Sequence, residues 1–308
     1  MHQQSRSSGR YSIRSHSFVG ILTLLLTSAL QLGAQTFPVG KGPWVAAFDG
    51  TNIWISNRGD NTVSRIRPSD GTILGTYAVG SAPTGILFDG TNIWAANLNS
   101  NNVTKLRASD GTWLGTFAVG KYPHELAYDG ANIWVTNGSS NSVTKLRASD
   151  GAVLGTFTVG TYPFGITFDG ANIWVANFSS NNVTELRASD GALLGTFVAG
   201  RYPLEIKFDG ENIWVANHGS SNVTKLRPSD GAALGTYNIP VKAYGITFDG
   251  IHIWVANDGA NCVTKMLPDG TVLATYQVGT DPTSLAFDGS SVWVTNSVSN
   301  TLTKIPDN

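Results

Sequence analysis

VGTYPFGITFDGANIWVANFSSNNVTELRASDGALLGTF, residues 159–197, is one copy of a unit that recurs along most of this 308-residue chain. Its tryptophan returns as Trp54, Trp94, Trp134, Trp174, Trp214, Trp254 and Trp293, a 40-residue period with one step of 39. A fixed period of that length marks a repeat architecture in which each copy is one supersecondary unit. Copies begin at Lys41, Ser81, Lys121, Thr161, Arg201, Val241 and Thr280. Inside the quoted copy, short β-branched and aromatic runs alternate with Asp-Gly turns. That pattern predicts four strands, at 165–168, 172–177, 182–187 and 194–198.

The seventh copy stops before its fourth strand, and the missing segment has a match ahead of the first copy, TFPVG at 36–40. An open solenoid would need polar capping repeats at both ends, whereas a chain that begins with the last strand of its final unit closes on itself. The expectation is an all-β, seven-bladed β-propeller of four-stranded blades spanning residues 35–308, closed by the strand at 36–40. The tryptophans, at strand centres, are expected to be half-buried.

Residues 1–34 differ in kind: Arg6, Arg10 and Arg14 without an acid, an apolar run over 18–32, then Gly33-Ala34. This reads as a signal peptide cleaved after Ala34, which predicts an exported chain with no stable membrane anchor after cleavage. Without the leader, 17 basic residues face 21 acidic ones, so a nucleic-acid partner is not indicated. The single cysteine, Cys262, excludes an internal disulfide. It stands where other copies carry Thr, Asn or Ser, a place that asks only for a small, buried or semi-buried residue.

The tryptophan strand reads WVTN at 134–137 and at 293–296. Together with the copy at 159–197, this resembles the YVTN group of β-propeller repeats, Trp replacing the Tyr of the motif in every copy. The likeness extends from Thr36 to Ile305. It also touches NHL-type propellers and, more loosely, the streptogramin lyase group of seven-bladed propellers. The resemblance implies the fold and leaves activity open, because propellers host enzymes, binders and surface-layer proteins. Kinship with the lyases would imply a His and a Glu-x-His pair working with magnesium, and this chain contains no Glu-x-His.

Comparing copies separates frame from site. The first-to-second and third-to-fourth turns, on one face of the disc, repeat Asp-Gly almost without change, as in Asp169-Gly170 and Asp190-Gly191. Such a ladder invites a calcium reading, but hairpins that need positive φ explain it without metal. The other face varies. At the fourth position of each copy stand Trp44, Thr84, His124, Phe164, Leu204, Tyr244 and Thr283, and two residues earlier Tyr122, Tyr162 and Tyr202. The following loop carries Arg58, Phe178, His218 and Asp258. Third-strand Lys and Arg read as solvated heads on stems that cover the outer blade.

The variable face is thus the expected binding face, with Trp44, Tyr122, His124, Tyr162, Phe164, Phe178, Tyr202, Lys207 and Tyr244 as ligand-binding residues. A mixed aromatic and amphipathic surface suits a peptide, carbohydrate or small molecule. Catalytic candidates are His124, Glu125, Glu205 and His218, as acid–base partners or as holders of a divalent ion. No metal-ligand spacing or nucleophile triad appears, so no cofactor is implied. A binding or surface-interaction module is the leading reading, a metal-assisted lyase or lactonase the alternative.

Overall fold

The computed structural model describes residues 33–307. All but the last two residues of the expected leader lie outside them. Twenty-eight strands form seven four-stranded antiparallel sheets, each in simple sequential order except one. In that one, β1 (Gln35–Pro38) pairs with β28 (Thr301–Pro306), giving the order β1-β28-β27-β26, where β26 is Pro282–Phe287 and β27 Ser291–Asn296. The seven-bladed propeller is closed as the sequence predicts. Innermost strands adjoin around the axis, the last beside the first. All seven begin two residues after the expected copy starts.

The core sits in the seams between blades. Ile86, Ile93 and Leu106 of the second blade, for example, cluster with Trp54 and Val63 of the first. All seven repeat tryptophans are fully buried rather than half-buried, because a neighbouring blade covers the face that a lone sheet would expose. A buried indole N–H needs an acceptor. Each finds one in the Asp of its own Asp-Gly turn, as Trp174 Nε1 does at 2.7 Å from Asp169 Oδ2. The other carboxylate oxygen accepts the backbone N–H of Ala171 and Asn172. The repeated Asp is therefore fixed twice over, by its turn and by the tryptophan five residues on.

Phe37 of β1 stacks on Trp293 at 5.9 Å, just as Tyr77 stacks on Trp54 at 5.6 Å within the first blade. The closing strand thus reproduces the contact it was expected to replace. Gly71, at φ +72°, lies against the Phe37 ring where a Cβ would collide with it.

The third-strand cations divide into two kinds. The Arg at the end of the strand is exposed and pairs with its turn aspartate, as Arg147 does with Asp150 at 2.9 Å. The Lys two residues earlier is not a solvated head. Lys105, Lys145 and Lys265 are buried, and Lys145 Nζ lies 4.9 Å from the Trp134 ring while donating to the Ala188 carbonyl of the next blade at 2.7 Å. Only an inter-blade contact 43 residues away accounts for this burial. The fourth blade departs from the rule with Glu185, which accepts from Asn172 Nδ2 at 2.7 Å. Cys262 is buried as expected, with Asn257 Nδ2 at 3.6 Å from its sulfur.

Candidate functional site

On the variable face side-chain acceptors of one blade clasp main-chain amides of the next. Tyr122, Tyr162 and Tyr202 adopt φ of +56°, +54° and +51°, a left-handed conformation uncommon for bulky residues. The backbone N–H of each is accepted by an asparagine of the preceding blade, Asn101, Asn141 and Asn181, at 3.0, 3.0 and 2.9 Å. Those asparagines are left-handed too. The same clasp holds Gly42, Ala82 and Asp281 through Asn300, Asn61 and Asn261. Ser221 takes the asparagine's place before Lys242, and there neither the clasp nor the positive φ at Lys242 occurs among the described contacts. Because a main-chain contact carries the frame, the side chain at this position is free to differ.

Those free side chains converge. A continuous series of rings runs over the channel mouth, starting with Trp44 and Tyr244 at 5.8 Å and Tyr244 and Phe164 at 6.2 Å. Phe164 then stacks on His124 at 4.3 Å, and His124 lies 5.2 Å from Tyr162. Tyr162 to Phe178 spans 6.0 Å, and Phe178 stacks on Tyr202 at 4.8 Å. Trp44, Phe164 and Tyr244 belong to the first, fourth and sixth blades, so their contacts cross the axis and stopper the channel on this side. Seven of the nine ligand-binding residues expected from the sequence fall in this series. Tyr122 stands at its rim, 43% exposed.

Polar groups surround the series. The Arg58 guanidinium lies 4.6 Å over the Trp44 ring. His218 Nε2 is 3.0 Å from Asp258 Oδ2, and Ser297 Oγ donates to Asp281. Arg58, Asp258 and Asp281 are absent from the ligand-binding residues read from the sequence, although their loop positions vary as the aromatic ones do; that variation was the available signal. His124 is buried with no hydrogen-bond partner on either ring nitrogen. Burial, with Arg58 nearby, lowers its pKa to about 3. It is a neutral ring in an aromatic stack, poorly placed to carry a proton. Burial also pushes the Tyr244 hydroxyl well above its ordinary range.

Glu125, Glu205 and Lys207 lie elsewhere, around a cavity of about 320 Å³ in the half of the channel that leads to the Asp-Gly face. None of the ring series lines it. Lys207 Nζ is 3.6 Å from Glu205 Oε1. Burial raises the Glu205 carboxyl against the opposing pull of Lys207, and burial together with Glu205 raises Glu125 further. Among the described residues no hydrogen bond or ion pair joins His124 or His218 to either glutamate. The four catalytic candidates therefore separate into two places.

One mixed His/Asp group has the spacing of a metal site, Asp249, His252 and Asp307, with ligand atoms within 4.8 Å. Its carboxylates already have partners. Asp249 accepts from Trp254 Nε1 at 2.6 Å and Asp307 from Lys265 Nζ at 2.6 Å. His252, 3.0 Å from Asp249, stands in for the asparagine of other copies.

The sequence matches no family model, and no curated relative matches it. Its fold is shared with solved propellers. A streptogramin B lyase superposes with a TM-score of 0.77 at 21% identity, over 88% of this chain and 96% of the other. A catalytically inactive virginiamycin B lyase from Staphylococcus aureus, solved with quinupristin, gives 0.79 at 19%, over 89% and 99%. Hydrazine synthase from Kuenenia stuttgartiensis gives 0.76 at 18%, over 86% and 96%. At these identities the likeness is one of fold: a seven-bladed propeller of the streptogramin lyase-like shape.

Proposed function

We propose that this chain is an exported propeller that captures a peptide, carbohydrate or small molecule on the variable face, by stacking it against the ring series and fixing its polar groups with Arg58, His218 and Asp258. The carrying observation is the set of three tyrosines whose backbones are clasped in a left-handed conformation while their rings stand at the mouth. Backbone strain of this kind persists where the surroundings over-determine it, and it gathers at binding sites. Aromatic rings with polar neighbours give orientation as well as apolar contact. Export rests on the leader-like residues 1–34, and kinship with YVTN-type repeats on the WVTN strands.

The test is a screen of peptides, glycans and aromatic small molecules by calorimetry, repeated with a Phe178→Ala/Tyr202→Ala double variant. A tenfold or larger loss of affinity in a normally melting variant is expected. Unchanged affinity would sink this reading.

A second reading, a metal-assisted lyase, draws support from the shared fold with streptogramin B lyases. Against it stand the missing Glu-x-His and the separation of His124 and His218 from Glu125 and Glu205. Incubation with quinupristin and magnesium decides it: turnover abolished by chelation would favour the lyase, and an intact substrate would leave the binding module.

A further inference from the structure

The cavity below the aromatic stopper is chemically unlike the mouth above it. At its narrow end the fifth inner-strand position carries Glu125, Glu205 and Ser284, with Gly85, Gly165 and Gly245 between them. These glycines are required by close approach of neighbouring strands: a Cβ on Gly165 would lie only 2.4 Å from the Leu204 carbonyl oxygen, and one on Gly85 3.0 Å from Glu125 Oε2. Gly165 thus lets the backbone of the strand that carries Glu205 pack close to its own. Glu205 has Lys207 at 3.6 Å. Glu125 is only 7% exposed and lines the cavity, and among the described residues no side chain pairs with its carboxylate, which has only the Leu126 backbone N–H and the more distant pull of Lys207 to favour its charge. A buried carboxylate without a paired cation is costly, and two ionised carboxylates beside one ammonium would leave the cavity short of one positive charge.

Beyond this acidic end the walls turn apolar, with Leu87, Phe88, Leu126, Ile246 and Leu285. The geometry points to a second ligand site, in which a primary ammonium group sits between Glu125 and Glu205 and the apolar chain that bears it extends along Leu87, Phe88 and Leu285 toward the Asp-Gly face. A divalent metal fits less well. It would need about six oxygen ligands, and Lys207 would repel a dication beside Glu205. The cavity, near the lower end of the roughly 300–1,000 Å³ usual for ligand pockets, suits a chain of a few carbons. Burial and Glu205 both raise the Glu125 carboxyl, which favours its protonated form when no cation is near. An arriving ammonium takes the place of that proton, which leaves to solvent.

The site is independent of the variable-face reading and is tested on the full chain by calorimetry with hexylamine, 1-hexanol, acetyl-lysine amide and calcium chloride. Hexylamine is expected to bind at least tenfold more tightly than 1-hexanol, with release of a proton seen as a dependence of the heat on buffer ionisation. Glu125→Gln, which keeps the shape and removes the charge, is expected to lose at least tenfold in hexylamine affinity, and Tyr202→Ala to lose none. Binding of acetyl-lysine amide as well would identify the source as a side chain presented by a peptide; hexylamine alone would identify a free amine. No heat with hexylamine, equal binding by Glu125→Gln, or displacement of hexylamine by calcium would overturn the proposal.

Discussion

The two faces of the disc divide structural labour in opposite ways. On the Asp-Gly face side chains hold the frame, because each first-to-second-turn aspartate accepts a buried indole N–H and two backbone N–H groups, as Asp169 does. On the other face asparagine side chains hold it by accepting the main-chain N–H of the next blade, so the clasped residue lends only its backbone. A side chain that carries structure cannot vary without loss. One whose backbone does the work can be Tyr, Ala, Gly or Asp. Diversity on one face and monotony on the other thus follow from whether a position's side chain or only its backbone amide carries the structural hydrogen bonds, and the ring series occupies the positions so released.

Breaking the Asp-Gly side should cost most. Asp169→Ala strands the indole N–H of the buried Trp174 and frees two turn amides. With about 1.5–3 kcal/mol for a hydrogen bond to a charged acceptor and a similar penalty for the orphaned donor, a loss of roughly 3–5 kcal/mol in urea melts is expected. A loss under about 1 kcal/mol would mean that the turn does not depend on its carboxylate.

Next comes a pair of neighbours on opposite sides of the stopper, His124 and Glu125. The folded-state pKa of His124 is lowered from 6.5 to about 3, so between those values the unfolded chain binds a proton that the folded one does not. Its contribution to stability is therefore lost as pH falls below about 6.5. Glu125 has the reverse sign: its folded pKa is raised, so the fold retains a proton that the unfolded chain gives up, and stability is lost as pH rises past the ordinary carboxyl value. The two oppose each other in the native chain, and single variants should unmask each. His124→Leu, the residue of the fifth blade at this position, should flatten the acid side by about 2 kcal/mol between pH 7 and 5. Glu125→Gln should raise melting at neutral pH relative to the native chain. Parallel pH profiles for the native protein and both variants would remove the premise that either group is buried in the state described.

On the main-chain side, Asn181→Ala removes the acceptor for the Tyr202 amide and places a non-Asn residue at φ +57°. A loss of about 1–2 kcal/mol is expected, less than for Asp169→Ala. Equal losses would erase the distinction between the faces.

Much of this frame was legible beforehand. The period, the closing segment at 36–40 and the Asp-Gly hairpins are local or strictly repeated signals, and the blade at 159–197 has the four strands its pattern predicts. What escaped depends on the next blade. Nothing within one copy tells that Lys145 reaches the Ala188 carbonyl, or that a tryptophan on a half-exposed sheet is covered. The asparagine clasp left a signal, Asn at 61, 101, 141, 181, 261 and 300 with Ser221 as the exception. Its meaning needed the register between blades. The site was legible as a set of residues and not as an arrangement: His124 and Glu125 are adjacent in sequence, yet the inner strand turns one into the ring stack and the other into the cavity.

The smallest effect is the sharpest probe of the comparison. Tyr202 sits at φ +51°, where any residue with a Cβ is strained and glycine is not. Replacing it with Ala removes the ring and its stack on Phe178 while keeping that strain; replacing it with Gly removes both. The difference between the two variants isolates the backbone cost at the mouth, so Tyr202→Gly should melt above Tyr202→Ala by an amount worth about 0.5–1 kcal/mol, a few degrees in a chain this long. Gly170 supplies the mirror case, with φ +101° and nothing within 4 Å of a built Cβ: Gly170→Ala should lose stability through conformation alone. If Tyr202→Ala were instead the more stable of its pair, the tyrosine backbone would not be under strain at the mouth, and the diversified face would owe its conformation to its side chains after all.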